Sequence, residues 1–339
     1  MKKRIAASNP YDVVTAHGFS SLEEALPALL PGKRILVVTD ENVAPLYLSE
    51  LLSALGHFEA TPYIIKAGES SKCIENFASI LSFMAQNGLK REDAVLALGG
   101  GVVGDLAGFC AASYMRGVRF IQCPTTLLSM VDSSVGGKTA LDLSEGKNLV
   151  GAFHQPSLVY INLDTLATLP EREIRCGMGE IVKYAFISKS VHEEMLKEGI
   201  SEELILSSIG VKAAIVEEDE RDHGQRALLN LGHTLGHAIE HLSSFSLSHG
   251  AAVCRGLAKV IAMSKKYYSL SDEKESEMLR LLSYADEELS CPYSDEELLA
   301  LLSRDKKATA EGINFVLIRD IGDCRTVPLS EEKIKELLV

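Results

Sequence analysis

Short apolar runs alternate with longer amphipathic segments along the first half of the chain. The segment 74–87 is typical of the second kind, because its apolar side chains recur at helical spacing. The apolar runs are rich in β-branched residues and predict strands at 34–39, 61–67, 94–98, 120–123 and 158–163. Near-continuous apolar strands separated by helices are typical of a mainly parallel sheet covered on both faces. The first half is therefore predicted to be an α/β domain.

The pattern changes after about Thr165. Glu, Lys, Leu and Ala dominate from there to the end, and helical spacing persists except at a strand-like run, 313–318. We therefore predict an α/β domain over residues 1–165 and a mostly α-helical domain over residues 166–339. The length of 339 residues agrees with this division, since a typical domain has about 150 residues.

The composition and charge restrict what the protein can bind. Hydrophobic residues make up 46% of the chain and charged residues 24%, which is typical of a globular protein. The 34 basic and 47 acidic residues give a net charge of −13, and the longest basic run is Lys2-Lys3-Arg4. A general nucleic-acid partner requires a basic face, so this class is excluded. An anionic substrate would need lysine, arginine and histidine side chains concentrated at one place.

The sequence also indicates a compartment. No stretch approaches the roughly 20 apolar residues of a membrane span, so no membrane partner is expected. The apolar segment 5–7 is too short for the core of a signal peptide. The seven cysteines are widely spaced and never form a CxxC pair, which is typical of reduced thiols. We therefore predict a cytoplasmic protein.

A glycine-rich turn, 99–105 (GGGVVGD), follows the third predicted strand and opens a helix. It matches GxGxxG, in which glycines allow the backbone to approach a pyrophosphate at a helix N-terminus. The match is incomplete, because no acidic residue follows about 20 positions later and the turn does not follow the first strand. Asp40, Glu69 and Lys72, which follow the first two strands, could bind ribose hydroxyls instead. A nucleotide site and an ordinary strand–helix turn both remain possible from this pattern.

Three histidines indicate a metal site in the second half. His233 and His237 are four residues apart, so on a helix both imidazoles project from one face, and His249 follows a short serine-rich segment. With a carboxylate from elsewhere, for which we nominate Glu180, they would bind a divalent cation and leave room for a substrate oxygen. The alternative is a surface or capping histidine pair.

A polar string with glycines and lysines extends over 132–139, 146–148 and 151–156. Lysines flanked by glycine and small hydroxyl residues suit an oxyanion such as phosphate or carboxylate. The sequence GGKT is not a P-loop, because Asp132 stands where the first glycine of that motif belongs. Each lysine taken alone is better explained as a solvated side chain, and only the grouping of the lysines favours an oxyanion site.

Taken together, these segments resemble the 3-dehydroquinate synthase family. The motifs that carry the resemblance lie at 99–109, 116–140, 146–156, 179–184 and 226–240. The match is collinear from about Asp40 to 305–307, so it covers most of the chain. It implies an NAD-binding α/β domain followed by a helical domain that binds Zn²⁺, for which Co²⁺ can substitute.

The resemblance also implies a reaction. The family closes 3-deoxy-D-arabino-heptulosonate 7-phosphate to 3-dehydroquinate with release of phosphate, the second step of the shikimate pathway to chorismate and the aromatic amino acids. The steps are transient oxidation by NAD, β-elimination of phosphate, re-reduction and intramolecular aldol closure. His237 is the residue we expect to move protons, because an imidazole titrates near neutral pH.

The family's functional residues map onto matching positions of this chain. The resemblance implies metal ligation by Glu180, His233 and His249. It implies NAD contacts from Asp40, Asn42, Glu69, Lys72, Gly100, Gly101, Asp105, Thr125, Thr126, Lys147 and Thr165. It implies substrate contacts from Asp132, Lys138, Asn148, Lys183, Lys212, Arg226, Asn230, His237 and Lys306 or Lys307. Arg116 resembles the arginine that family homodimers contribute to the neighbouring subunit's site.

One departure and three alternatives accompany the resemblance. Family members usually read HGEAV where this chain has Ala251 in the third position, so a carboxylate beside His249 is missing. The alternatives are a sibling sugar phosphate cyclase of the 2-deoxy-scyllo-inosose or 2-epi-5-epi-valiolone synthase type, a metal-dependent polyol dehydrogenase, and a catalytically silent relative. The intact GGKTA at 136–140 and Arg226 favour a substrate that carries a carboxylate.

Overall fold

The structure, a computed structural model, divides into two compact units, Met1–Leu169 and Pro170–Val339. It describes residues 1–197, 199–221, 224–244, 246–286, 288–302 and 312–338. Lys306 and Lys307, predicted to contact substrate, lie outside the described residues.

A mainly parallel sheet forms the centre of the first unit. The nine strands of this unit are β1 (Lys2–Ile5), β2 (Tyr11–Ala16), β3 (Arg34–Asp40), β4 (Glu59–Ile65), β5 (Ala94–Gly99), β6 (Arg119–Pro124), β7 (Lys138–Leu143), β8 (Gly146–Phe153) and β9 (Leu158–Asn162). Seven of them form one sheet in the order β1-β2-β9-β6-β5-β3-β4. All neighbours in this sheet are parallel except β1 and β2. Strands β7 and β8 form a separate antiparallel hairpin.

Both faces of this sheet are covered, as its continuous apolar strands predict. Val37 in β3 and Leu96 in β5 belong to one hydrophobic cluster, whereas Leu36 and Val95 belong to another. Side chains alternate between the faces of a strand, so each neighbour in sequence serves a different layer. The covering helices are α1 (Ser20–Ala25), α2 (Ser49–Ala54), α3 (Ile74–Gln86) and α4 (Gly101–Ser113). The first two contribute to one cluster and the last two to the other.

Several strands are missed by the apolar-run criterion. β1 carries charged residues at the sheet edge, β2 next to it alternates buried and half-buried residues, and β8 is largely exposed. β7 and β8 lie within the string whose polarity suggested a ligand-binding loop. In the second unit β10 (Ile313–Asp320) pairs with an unpredicted β11 (Asp323–Leu329). Exposed or edge strands do not require continuous apolar residues, so hydrophobicity alone does not reveal them.

The second unit is mostly helical, as predicted. Its helices are α5 (Glu171–Ile187), α6 (Lys189–Met195), α7 (Glu202–Glu218), α8 (His233–Leu242), α9 (His249–Tyr268), α10 (Asp272–Leu282), α11 (Asp295–Leu302) and α12 (Glu331–Leu338). α9 is central, since it packs against α5, α8, α10, α12 and β10. The hydroxyl of Ser264 in α9 accepts a hydrogen bond from the Ile318 N–H of β10 at 2.9 Å.

Across the described parts of both units, no helix combines the length and the apolar character needed to span a membrane.

Leu96 offers a test of how far the first unit depends on its central strand. The side chain is fully buried, so Leu96→Ala removes apolar contacts and leaves a cavity. We expect a loss of about 2–5 kcal/mol in the free energy of unfolding, measured by urea denaturation. Leu46→Ala is the control, because Leu46 is 55% exposed and its truncation should change stability by less than about 0.5 kcal/mol. Equal losses in both variants would contradict this description of the core.

Candidate active site

The carboxyl edge of the sheet gathers the predicted cofactor residues of the first unit. β2, β9, β6, β5, β3 and β4 run parallel, so the loops that follow these strands emerge at one edge. The chain leaves β3 for β4 on one side and reaches β5 on the other side. The carboxyl end of β3 is therefore a topological switch point, where open α/β sheets bind ligands.

The glycine-rich turn lies at this edge between β5 and α4. A Cβ atom on Gly100 would lie 3.1 Å from the Thr126 methyl carbon, and one on Gly101 would lie 3.3 Å from Ser133 Oγ. Glycine thus lets the start of α4 lie close to the segment that follows β6. Among the described residues, the buried hydroxyls of Thr39 and Thr125 have no hydrogen-bond partner. The N–H groups of a helix start have no partner within the helix, and beside such hydroxyls they suit a nucleotide.

Lys72 is the centre of a charged cluster at the same edge. Its side chain is 5% exposed, and its ammonium donates to Asp105 Oδ2 at 3.1 Å and to Asn148 Oδ1 at 2.6 Å. The carboxylates of Glu69 and Asp142 lie 3.2 Å and 3.7 Å from the same nitrogen. Burial by itself would lower the pKa of Lys72, but Asp105 and Glu69 outweigh burial and raise that pKa. The ammonium is therefore a permanent charge that joins four polar side chains.

The other predicted residues of the first unit lie in loops, in turns and on the β7–β8 hairpin. Asp40 Oδ1 accepts the backbone N–H groups of Asn42 and Val43 at 2.8 Å and 3.0 Å, which shapes the loop after β3. Thr165 is buried and donates to the Asn162 carbonyl at 2.8 Å. The predicted residues on exposed or half-exposed turns and strands are Asn42, Arg116, Asp132, Lys138 and Lys147.

Three helices of the second unit approach one another closely through glycines. A Cβ atom on Gly250 in α9 would overlap the Cys176 carbonyl of α5, and one on Gly179 in α5 would lie 2.9 Å from the Gly250 Cα. A Cβ atom on Gly256 in α9 would likewise overlap the Gly232 carbonyl before α8. Since glycine has no Cβ, both backbones pack directly against α9. This packing brings side chains from three helices within reach of one another.

Glu180, His233 and His249 converge where these helices meet. Glu180 Oε1 lies 3.1 Å from His233 Nε2 and 3.4 Å from His249 Nε2. The carboxylate is 1% exposed, and Lys183, one turn later in α5, forms an ion pair with its other oxygen. No described residue gives either carboxylate oxygen a hydrogen bond of normal geometry, despite these three nearby nitrogens. The carboxylate is thus buried beside three nitrogens that can carry positive charge.

The contacts of Nδ1 in His233 and His249 explain why a cation fits between their Nε2 atoms and Glu180. His233 Nδ1 lies 3.1 Å from the Leu231 carbonyl, and His249 Nδ1 lies 3.4 Å from Glu240 Oε2. Each Nδ1 therefore donates to an acceptor, and each Nε2, which faces Glu180 Oε1, must carry a proton or offer a lone pair to a cation. Lone pairs facing a carboxylate repel unless a proton or a metal ion lies between them.

The pKa shifts agree with this requirement for positive charge. Burial would raise the pKa of Glu180, but Lys183 and His233 outweigh it and hold that pKa well below its ordinary value. Burial would lower the pKa of His249, but the Glu180 and Glu240 carboxylates raise it to about 10. The cluster therefore stabilises a positive charge between the imidazoles and Glu180.

A divalent metal fits this donor set. Ligands about 2.0–2.2 Å from a tetrahedral zinc ion lie roughly 3.3–3.6 Å apart, close to the spacings around Glu180. One carboxylate and two imidazoles leave a fourth position for substrate, as in catalytic rather than structural zinc sites. Glu240 was missed by sequence reasoning, although its position three residues after His237 places both on one face of α8. It orients His249 as outer carboxylates orient metal-binding histidines.

The remaining predicted residues of the second unit differ in burial. Lys183, Lys212 and Arg226 are buried, and the Arg226 guanidinium donates to the Glu220 carbonyl at 2.9 Å. His237 is exposed on α8, with its ring centre 5.4 Å from that of His233 and 6.0 Å from that of His249. Asn230 ends a short 3₁₀ turn just before α8.

Solved structures define the class of protein. A 2-deoxy-scyllo-inosose synthase complexed with carbaglucose-6-phosphate, NAD⁺ and Co²⁺ matches with a TM-score of 0.86 at 22% identity, covering 100% of this chain and 99% of that one. A 2-epi-5-epi-valiolone synthase from Streptomyces hygroscopicus, with NAD⁺ and Zn²⁺ bound, gives a TM-score of 0.84 at 28% identity, covering 97% and 95%. The fold is that of the sugar phosphate cyclases, which confirms the predicted fold class.

Sequence similarity narrows this class. The family models for the 3-dehydroquinate synthase N-terminal and C-terminal regions match residues 62–176 and 177–308. The 3-dehydroquinate synthase of Prochlorococcus marinus is 41% identical over 353 residues, covering 98% of this chain and 96% of that protein. This chain therefore belongs to the 3-dehydroquinate synthase family, and the predicted resemblance is confirmed.

Gly250→Ala tests whether close helix packing assembles the Glu180 cluster. The added methyl group would overlap the Cys176 carbonyl and force α9 away from α5. We expect a stability loss of about 1–3 kcal/mol and weaker binding of Zn²⁺, measured by chelator competition. Gly224→Ala is the control, because a Cβ atom there has no neighbour within 4 Å. Unchanged zinc affinity in Gly250→Ala would refute the role of this packing.

Proposed function

We propose that the two units supply the two cofactors of one reaction, with NAD bound by the first unit and a divalent cation by the second. The observation that carries this proposal is the convergence of two histidine Nε2 atoms on the buried Glu180 carboxylate. The NAD assignment is supported by the glycine-rich turn and the unpartnered hydroxyls at the carboxyl edge of the sheet. Zn²⁺ is the expected metal, with Co²⁺ as a substitute.

The chain is a 3-dehydroquinate synthase-type enzyme, a lyase of aromatic biosynthesis. It converts 3-deoxy-D-arabino-heptulosonate 7-phosphate into 3-dehydroquinate and phosphate. When bound, NAD serves as hydride acceptor and donor, and the divalent cation polarises the hydroxyl group that is oxidised. The protein's own side chains hold one conformer of the substrate and exclude competing reactions.

Residues of the first unit bind NAD and part of the substrate in this proposal. Asp40, Glu69 and Asp105 supply acceptors for ribose hydroxyls, and the N-terminus of α4 at Gly100 and Gly101 receives the pyrophosphate. The other NAD contacts are Asn42, Lys72, Thr125, Thr126, Lys147 and Thr165. Lys138 and Asn148 on the β7–β8 hairpin contact the substrate phosphate, and Asp132 assists in binding the substrate.

Residues of the second unit bind the cation and the anionic groups of the substrate. Glu180, His233 and His249 hold the metal, while Lys183 remains paired with Glu180 beside it. Lys212 and Arg226 are buried cations that bind the anionic groups of the substrate in this proposal, because a charge pair is strong in a buried site. Asn230 donates a hydrogen bond to the substrate. His237 takes up and returns protons, because its exposed imidazole lies beside His233 and His249.

The distribution of charge supports an anionic substrate. The protein as a whole has a net charge of −13, which repels anions at long range. The substrate carries both a phosphate and a carboxylate, so it must be held by cations concentrated in the site. Lys183, Lys212 and Arg226, all buried in the second unit, are the cations to which this proposal gives that role.

A homodimer in which Arg116 reaches the neighbouring site also belongs to this proposal. Arg116 is exposed in a turn with φ +68°, beside Met115, which is 42% exposed. The end of β8 adjoins this turn, because His154 Nε2 lies 2.9 Å from the Val118 carbonyl. Leu149 and Phe153 of β8 are 57% and 47% exposed. Exposed apolar side chains in this turn and on β8 favour a protein partner, here a second copy of the chain.

The cytoplasm is the compartment that this proposal assigns to the enzyme, with no nucleic-acid or membrane partner. All seven cysteines are free thiols, and Cys110, Cys123, Cys176 and Cys254 are buried. Unpaired thiols are typical of proteins from a reducing compartment.

The decisive assay measures phosphate released from 3-deoxy-D-arabino-heptulosonate 7-phosphate with NAD⁺ and Zn²⁺ or Co²⁺. We expect one phosphate per dehydroquinate, no accumulation of NADH, and loss of activity on chelation. His249→Ala should abolish both activity and bound metal, because it removes one of three ligands. His241→Ala is the matched control, since that histidine is exposed on α8.

Three outcomes of this assay would contradict the proposal. Accumulating NADH without phosphate would indicate a polyol dehydrogenase. Turnover of glucose 6-phosphate or sedoheptulose 7-phosphate in its place would indicate a sibling cyclase and refute the role given to Arg226. Retained metal and activity in His249→Ala would refute the ligand set.

A mixing experiment tests whether Arg116 acts in the partner's site. Arg116→Ala and His249→Ala are each expected to be nearly inactive alone. In a mixed dimer, one site has an intact metal centre and receives Arg116 from the other chain. Random reassembly of equal amounts should restore about a quarter of wild-type activity, since half the dimers are mixed and each has one complete site. No recovery, or an unchanged KM in Arg116→Ala, would refute the shared site.

A further inference from the structure

Asp142 lies at an irregularity in the β7–β8 hairpin. The pairing register shifts between Leu141 and Leu143, so Asp142 is left out of the regular ladder. Its backbone N–H donates instead to the Lys72 carbonyl at 2.8 Å, which joins the hairpin to the segment after β4. Bulges of this kind re-aim side chains, and they are frequent next to active sites.

The Asp142 carboxylate shapes the turn between the two strands. Its Oδ1 accepts the backbone N–H of Asn148 at 2.7 Å and lies 3.7 Å from the Lys72 ammonium. The same ammonium donates to Asn148 Oδ1 at 2.6 Å. Lys72, Asp142 and Asn148 therefore form a closed ring of polar contacts, in which Asp142 meets both of the other residues.

The backbone conformation of Asn148 is strained and needs stabilising contacts. Its φ of +57° lies in the left-handed region, which costs a non-glycine residue of order 1 kcal/mol or more. Ser144, Glu145, Lys147 and Asn148 are all exposed, so hydrophobic packing contributes little to holding this turn. The hydrogen bond from the Asn148 N–H to Asp142 offsets the cost of that backbone conformation.

We propose that Asp142 is a positioning residue for both the cofactor and the substrate. It accepts the Asn148 N–H and so fixes the peptide bond between Lys147, which is assigned to NAD, and Asn148, which is assigned to the substrate phosphate. It also holds Lys72 in place, because the Lys72 carbonyl accepts the Asp142 N–H and the Lys72 ammonium lies near the Asp142 carboxylate. This inference rests on the proposed function for its ligands, whereas the contacts of Asp142 are properties of the protein alone.

Two substitutions separate the hydrogen bond that Asp142 accepts from its negative charge. Asp142→Asn keeps an oxygen that can accept the Asn148 N–H but removes one of three carboxylates around Lys72. Asp142→Ala removes the acceptor and the charge together. Glu145→Ala is the matched control, because this exposed carboxylate of the same turn accepts a local hydrogen bond, from Ser144 Oγ at 2.9 Å.

The experiment measures kcat, KM for the sugar phosphate, and the dissociation constant of NAD by calorimetry. We expect Asp142→Ala to raise KM and the NAD dissociation constant about tenfold, which corresponds to about 1.4 kcal/mol, with a smaller fall in kcat. Asp142→Asn should stay within about threefold of wild type, and Glu145→Ala should not differ from it. A merely structural defect would lower kcat and stability without this pattern of rescue.

Hydrogen exchange gives a second readout that needs no ligand. The Asn148 amide should exchange faster in Asp142→Ala than in wild type and should remain protected in Asp142→Asn. If Asp142→Ala does not fold, Asp142→Ser, whose hydroxyl is too short to reach the same atom, replaces it with the same expectation.

The outcomes distinguish this inference from the proposed function. Wild-type KM, NAD affinity and amide protection in Asp142→Ala would overturn the role of Asp142. Equal losses in Asp142→Asn and Asp142→Ala would overturn the acceptor argument. A wild-type protein that neither binds NAD nor turns over the sugar phosphate would instead refute the proposed function, and the exchange measurement would still decide whether Asp142 holds the turn.

Discussion

The burial of one carboxylate, that of Glu180, is the constraint on which the second unit depends. A carboxylate that is 1% exposed is tolerated only with positive charge beside it. Lys183 supplies one such charge from the same helix, and the two Nε2 atoms that face Glu180 require another between them. The glycine contacts of α5, α8 and α9 make the convergence possible, so the close packing of these helices positions the groups that can bind a cation.

The first unit also buries one ion beside groups of opposite charge, but here the buried ion is a cation. Its buried ion is the Lys72 ammonium, and the surrounding carboxylates come from three separate segments of the chain. Each contact ties one loop of the carboxyl edge to another. A rigid set of loops is what a redox cofactor and a phosphorylated substrate need, because the reacting atoms must be held in one geometry.

The predictability of individual elements follows their burial. The strand β5 was recognisable because all its residues are buried, and the sequence shows an unbroken apolar run. The hairpin β7–β8 was not recognisable, because β8 is largely exposed, β7 is only partly buried, and their glycines and lysines resemble a loop. The same holds for the site. His233 and His249 were identifiable by residue type, whereas Glu240 and Asp142 act through contacts that no local pattern contains.

The sequence by itself determined the fold class, the family, and the residue types available for binding a nucleotide, a metal and an anion. Motif order and apolar periodicity are local properties, so they can be read along the chain. Only the tertiary structure decided which side chains meet. Glu180 reaches His249, and Asp142 reaches Asn148, through a helix crossing and a bulged hairpin. Those geometries arise from glycine contacts and strand register, which depend on packing between distant segments.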